Sequence, residues 1–199
     1  MELEQFDFKY MPALIERVYN LWTPPHADEN FRVIYAESII RQDMHDNNMQ
    51  FQLTKDGQLM AIACASRKGE KNSAELWWNE QFAKLSDEQK ISFNMGRDYI
   101  AFMDKKTFAF MNEDDVKLNM FISTQKGWGK KLLDEVIANL KQAGFKNLFL
   151  WTDEDCNVDW YINHNYQLVS EDVYELFSSE EDYKTYIFKL NLKASTLDN

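Results

Sequence analysis

Long apolar runs are missing from this sequence. No stretch approaches the roughly 18 apolar residues that a membrane-crossing helix needs, so a membrane partner is not expected. The opening residues Met1-Glu2-Leu3-Glu4-Gln5 lack a basic–apolar–small pattern, and no secretion signal is read there. Cysteine is scarce. Cys64 and Cys156 stand far apart and read as reduced thiols of a cytoplasmic protein. His26, His45 and His164 are scattered, and no Cys/His cluster points to a metal. Neither a Gly/Ser linker nor a repeat divides the 199 residues. Positive charge is also short: 22 Lys and Arg stand against 33 Asp and Glu, a formal net charge of −11. An acidic surface repels phosphate backbones, so nucleic acid is not expected as a partner. It would attract a cationic amine, although acidic surfaces mostly confer solubility.

What is there suffices for one core: 45% of residues are apolar and 15% aromatic. Leu14, Ile15, Val18, Leu21 and Trp22 recur at helical spacing before Pro24-Pro25. A second helix is expected from Asp28 or Glu29 to about Met44. Residues 51–53 and 59–64 flank Asp56-Gly57, a strong hairpin turn. Ser86-Asp87-Glu88-Gln89 is a capping box and predicts a helix carrying Ile91, Met95, Tyr99 and Phe102 on one face. Trp77 and Trp78, just before it, read as core or lid aromatics. The second half reads strand (116–122), glycine turn, helix (129–143), strand (148–151), short helix (158–163) and two closing strands (166–176 and 185–192). That order predicts an α/β sheet with an antiparallel end.

The chemistry-bearing segment is Thr124-Gln125-Lys126-Gly127-Trp128-Gly129-Lys130-Lys131, placed between a strand and an amphipathic helix. The first amides of a helix have no partner within it and face whatever sits at its N-terminus. Glycines permit close backbone approach. Three lysines add positive charge, and a pyrophosphate is the natural occupant. A P-loop fits less well, because Thr124 stands where its first glycine is needed and Lys131 replaces the Ser or Thr. A dinucleotide fingerprint fails at Leu132, where the third glycine belongs.

Further on come Leu148-Phe149-Leu150-Trp151-Thr152-Asp153, Cys156-Asn157-Val158-Asp159-Trp160-Tyr161 and Asn165-Tyr166. Together with Gly127-Trp128-Gly129 this order resembles the GNAT superfamily of N-acetyltransferases over about residues 116–190. Two departures stand out: Thr124 occupies the family's Arg/Gln position, and Asn165-Tyr166 replaces its Gly-Phe pair. After Gly, Asn best tolerates a left-handed conformation.

The resemblance implies a GNAT-like mixed sheet with a central parallel pair, helices on both faces and a C-terminal antiparallel hairpin. It implies one domain, 1–199, with an acceptor-side half (1–115, carrying a helical insertion) and a coenzyme A-binding half (116–192). Acetyl-coenzyme A is the implied co-substrate and a small-molecule or peptide amine the acceptor. Main-chain groups near Phe121, Ile122 and Ser123 would hold the pantetheine arm, the segment Lys126, Gly127, Trp128, Gly129 and Lys130 the phosphates, and Asn157 the pantetheine. Tyr161 would protonate the departing thiolate; an ordinary phenol pKa near 10 lies slightly above that of a thiol. The sequence assigns no general base; Glu113, Asp114, Asp115, Glu75 and His45 are candidates. Cys156 reads as a packing residue rather than a nucleophile. The acidic run Glu171, Asp172, Glu175, Glu180, Glu181 and Asp182 reads as a solvated hairpin connection. A homodimer through the C-terminal strands is an option. The alternatives are a catalytically degenerate module that binds coenzyme A or a protein, and an unrelated α/β protein with another phosphate ligand.

Overall fold

The computed structural model describes residues 2–177 and 182–193. Glu180 and Glu181 of the acidic run lie outside these residues. The elements run β1 (Glu4–Gln5), α1 (Met11–Trp22), α2 (Glu29–Asp43), β2 (Gln50–Lys55), β3 (Gln58–Ser66), α3 (Glu75–Phe82) and α4 (Asp87–Phe110). They continue with β4 (Asp115–Ser123), α5 (Trp128–Gln142), β5 (Asn147–Asp153), α6 (Val158–Asn163), β6 (Gln167–Val173) and β7 (Lys184–Asn191). Local chemistry accounts for most ends. The Asp28 carboxylate accepts the N–H of Phe31 at 2.9 Å and starts α2. Asp56 and Gly57 both take positive φ, as a two-residue hairpin turn requires. Ser86 and Gln89 form both arms of the capping box that opens α4. Asn165 is left-handed, at φ 65°.

The strands form one seven-stranded sheet in the order β1-β2-β3-β4-β5-β7-β6. β4 and β5 are parallel and the other neighbours antiparallel. Helix α5 buries Leu132, Leu133, Val136 and Leu140 on one face of the sheet, against Ala63, Val116, Leu118, Leu148 and Leu150. The other face packs on α1 and α2 through Leu14, Val18, Ile40, Ile62 and Met120, and on α4 through Tyr99, Met103, Phe149 and Ile187. Trp78 is core, buried with Phe31 and Phe93.

One face was expected wrongly. Ile91, Met95 and Phe102 are 65%, 47% and 48% exposed, and only Tyr99 of that stripe is buried. The inward residues of α4 are Phe93, Ile100, Met103 and Thr107. Gly96 completes this second stripe. A Cβ there would collide with the Tyr35 ring of α2, so the two helices meet at the glycine. Two further elements, β1 and α3, had no sequence signal strong enough to predict them.

Candidate active site

β4 and β5 pair over three positions only: Asp115 with Asn147, Val116 with Leu148 and Lys117 with Phe149. Beyond these the strands part. A bulge in β4 between Leu118 and Met120, opposite Cys64 and Ala65, turns the strand at the fork. On its other edge β4 stays bonded to β3, and the Thr124 amide donates to Met60 O at 2.9 Å. Antiparallel alternation then turns the peptide groups of Ile122 towards β3 and those of Phe121 and Ser123 towards the gap. The Ile122 side chain is buried on the α1–α2 face.

The turn at the wide end of the gap is held by the Thr124 hydroxyl, 3.0 Å from both Leu59 O and Met60 O, and by the Ser123 hydroxyl, which donates to Gln125 O at 2.6 Å. Gly127 caps α5 with φ 88°, a backbone that a residue with a Cβ adopts only under strain. Trp128 N–H turns back to Gln125 O at 3.3 Å. The remaining first-turn amides of α5 have no partner inside the helix. A Cβ on Gly129 would sit 3.1 Å from the Phe121 ring and 3.3 Å from Ser123 Cβ, so this glycine lets the helix start lie against β4. Lys126 is exposed; Lys130 is paired with Asp134 at 2.6 Å; Lys131 lies 5.2 Å from the centre of the Trp128 ring.

Tyr161 lies on the α5 face. Its ring stacks on Phe188 of β7 at 5.5 Å and meets Tyr166 edge-on at 5.3 Å. Burial, and secondarily the neighbouring Cys156, push its pKa well above the ordinary phenol value. Asn157 caps α6, its side-chain oxygen accepting Trp160 N–H at 3.2 Å.

No protein-family model and no curated protein sequence matches the chain. Solved structures do. The ribosomal-protein-S18-alanine N-acetyltransferase of Escherichia coli aligns with a TM-score of 0.55 at 12% identity, covering 99% of this chain and 97% of that one. The polyamine N-acetyltransferase of Drosophila melanogaster aligns at 0.53 and 12% identity, over 95% and 98%. The yncA structure from Salmonella typhimurium, solved with its cofactor acetyl-CoA, aligns at 0.51 and 12% identity, over 100% and 98%. This is the GNAT N-acetyltransferase fold.

Within the GNAT fold the candidate residues fall into two groups. Phe121, Ser123, Gly127, Trp128 and Gly129 come together where β4 meets α5. The carboxylates named as candidate bases do not join them. Asp115 is buried at the closed end of the β4–β5 pairing, bonded to Asn112 and Asn147, and Asp114 pairs with Lys146 there. Glu75 lies in the first turn of α3. His45 is nearer: its Nδ1 is 3.1 Å from the side-chain amide of Asn119, in the β4 bulge. Burial lowers its pKa and favours the neutral imidazole. Cys156 is half-buried against Asp153, and burial raises its pKa, which suits packing rather than nucleophilic attack.

Sequence reasoning missed the polar network beneath the fork. Asp104 of α4 accepts both the Lys117 ammonium and the Trp151 indole. Asp43 lies close by at the end of α2; its burial holds its pKa well above the ordinary carboxyl value. Asn119 ties the bulge to Asp43 O at 2.9 Å and to Ser66 Oγ at 2.9 Å. The available signal was a lysine and an asparagine inside the apolar run 116–122. Among the described residues no group of three or more His, Cys, Asp or Glu could hold a metal ion, and no helix is long and apolar enough to cross a membrane.

Proposed function

We propose that the chain is an N-acetyltransferase that moves an acetyl group from acetyl-coenzyme A to a primary amine by direct attack. The observation that carries this is the parted β4–β5 pair ending at a glycine-capped helix. Phe121 and Ser123 turn their peptide groups into the gap, and a pantetheine arm bearing amides could complete them as a further strand would. The open amides of α5, with Lys126 and Lys131 beside them, suit a pyrophosphate. No side chain stands on Gly127 or Gly129 to obstruct it. The Asn157 amide NH2 is not used in capping α6, forms no hydrogen bond among the described residues and suits the arm. In the reaction the amine nitrogen bonds to the acyl carbon, the carbon–sulfur bond breaks, the nitrogen gives up a proton and the thiolate receives one. Tyr161 is assigned that last donation.

A second reading has its own support. Burial raises the Tyr161 phenol pKa further above that of a thiol, which makes proton donation to a thiolate more steeply uphill. A module that binds coenzyme A or a protein partner without chemistry would tolerate this. Incubation with acetyl-coenzyme A and a panel of amines, with thiol release followed, separates the two. Thiol release that depends on an amine supports the enzyme; tight coenzyme A binding with no release on any amine supports the module.

A further inference from the structure

A groove of about 480 Å³ opens between the C-terminal end of α2, Trp78 of α3 and helix α4, on the sheet face opposite α5. Asp104 lines it, and through Lys117 and Trp151 that carboxylate is bonded to both strands at the fork. Asp104 therefore links the groove to the fork from the face opposite α5.

Its charge runs against that of the whole molecule. The Asp104 carboxylate is paired with Lys117. Burial disfavours the charged forms of Asp43 beneath it and of the His45 imidazole. Arg97, stacked 4.2 Å from the centre of the Trp78 ring, is countered by Asp98 and Glu75. Lys68 and Lys105, exposed at the groove, form no ion pair among the described residues. In a chain of net charge −11 this is a local positive excess. Two of the lining residues each hold a polar atom that is buried away from the groove surface and has no hydrogen-bond partner among the described residues: Trp78 Nε1, a donor on a residue only 8% exposed, and Gln42 Oε1, an acceptor. Gln42 uses its amide NH2 on Arg97 O at 3.1 Å. The rest of the wall is Asn72, whose side chain is bonded to Arg41 O, Gln42 O and the Ala74 N–H, together with apolar Phe108, Ala101 and Ala109.

We propose that this groove is the acceptor site, and that it takes an amine which also carries a carboxylate on an apolar body, as an amino acid does. The assignment rests on the acetyltransferase reading. The amine points to Asp104 and the fork, and the carboxylate lies at Lys68 and Lys105. An acceptor of purely cationic character, which the overall acidity suggests, is disfavoured here.

The Trp78 indole N–H gives a readout that needs no activity. In 15N-labelled protein its signal is assigned by its disappearance in Trp78→Phe, and L-phenylalanine and phenethylamine are titrated separately. L-phenylalanine should move that signal and bind at least about tenfold more tightly than phenethylamine, which lacks the carboxylate. The double variant Lys68→Glu/Lys105→Glu, changed only at exposed positions, should abolish the preference. Equal or tighter binding of phenethylamine, or no movement with either compound at millimolar concentrations, overturns the proposal. Coenzyme A is titrated into the same sample. Amino-acid binding without coenzyme A binding would sink the acetyltransferase reading and keep the groove as a ligand site; the converse would sink the groove alone.

Discussion

Asp104 Oδ1 accepts the indole N–H of Trp151 at 2.7 Å. The same oxygen receives the Lys117 ammonium, whose side chain is wholly buried. One carboxylate from α4 thus joins the two strands at the position where their own pairing ends. Removing one partner of a buried ion pair leaves an uncompensated charge, so Asp104→Ala should cost about 3–5 kcal/mol of stability by urea denaturation. Replacing both charges, in Asp104→Leu/Lys117→Met, should recover most of that loss. A single variant as stable as the parent would mean the pair contributes nothing.

The two glycines of the turn should fail in different ways. Gly127→Ala puts a Cβ on a left-handed residue and should lower stability by about 1–2 kcal/mol. Gly129→Ala keeps an ordinary backbone but presses on Phe121 and Ser123. It should weaken coenzyme A binding by at least about tenfold, or 1.4 kcal/mol, in a calorimetric titration.

Tyr161→Phe removes only a hydroxyl. If that hydroxyl protonates the thiolate, turnover should fall at least about tenfold with coenzyme A affinity unchanged. Unaltered turnover would make Tyr161 a packing residue, stacked on Phe188 and nothing more.

Much of this was legible in the sequence. Asp28, the Asp56-Gly57 turn, the Ser86–Gln89 box and the apolar stripe of α5 are short-range signals, and short-range chemistry set those elements. The stripe on α4 was not legible by hydrophobicity, because Gly96 stands in it where an apolar residue would mark the inward face. Tyr35 explains that glycine, and Tyr35 is 61 positions away in the chain. The site divides in the same way. The glycine turn announced itself as contiguous residues, whereas Asp43, Asp104, Lys117 and Trp151 come from four different elements. Asp114 and Asp115 looked well placed beside the cofactor strand, but Asp114 precedes it and Asp115 opens it, at the end where β4 and β5 are still joined.

His45 makes a prediction about pH. Burial depresses its folded pKa below the ordinary value of about 6.5, so the unfolded chain binds more protons in the interval between the two. This contribution to stability is present above about pH 6.5 and is lost as pH falls through the folded pKa, at up to about 1.4 kcal/mol per pH unit. His45→Gln cannot titrate. Denaturant midpoints measured between about pH 5 and pH 7 should slope less in the variant than in the parent. Parallel slopes would show that His45 titrates alike in both states.

Three residue pairs are a narrow seam for a sheet of seven strands. β1 through β4 form one plate and β5, β7 and β6 the other, riveted by Asp104 on one side and clasped by α5 on the other. Whatever lies between the plates at their open end becomes their spacer, and its presence should slow amide hydrogen exchange on both rims together.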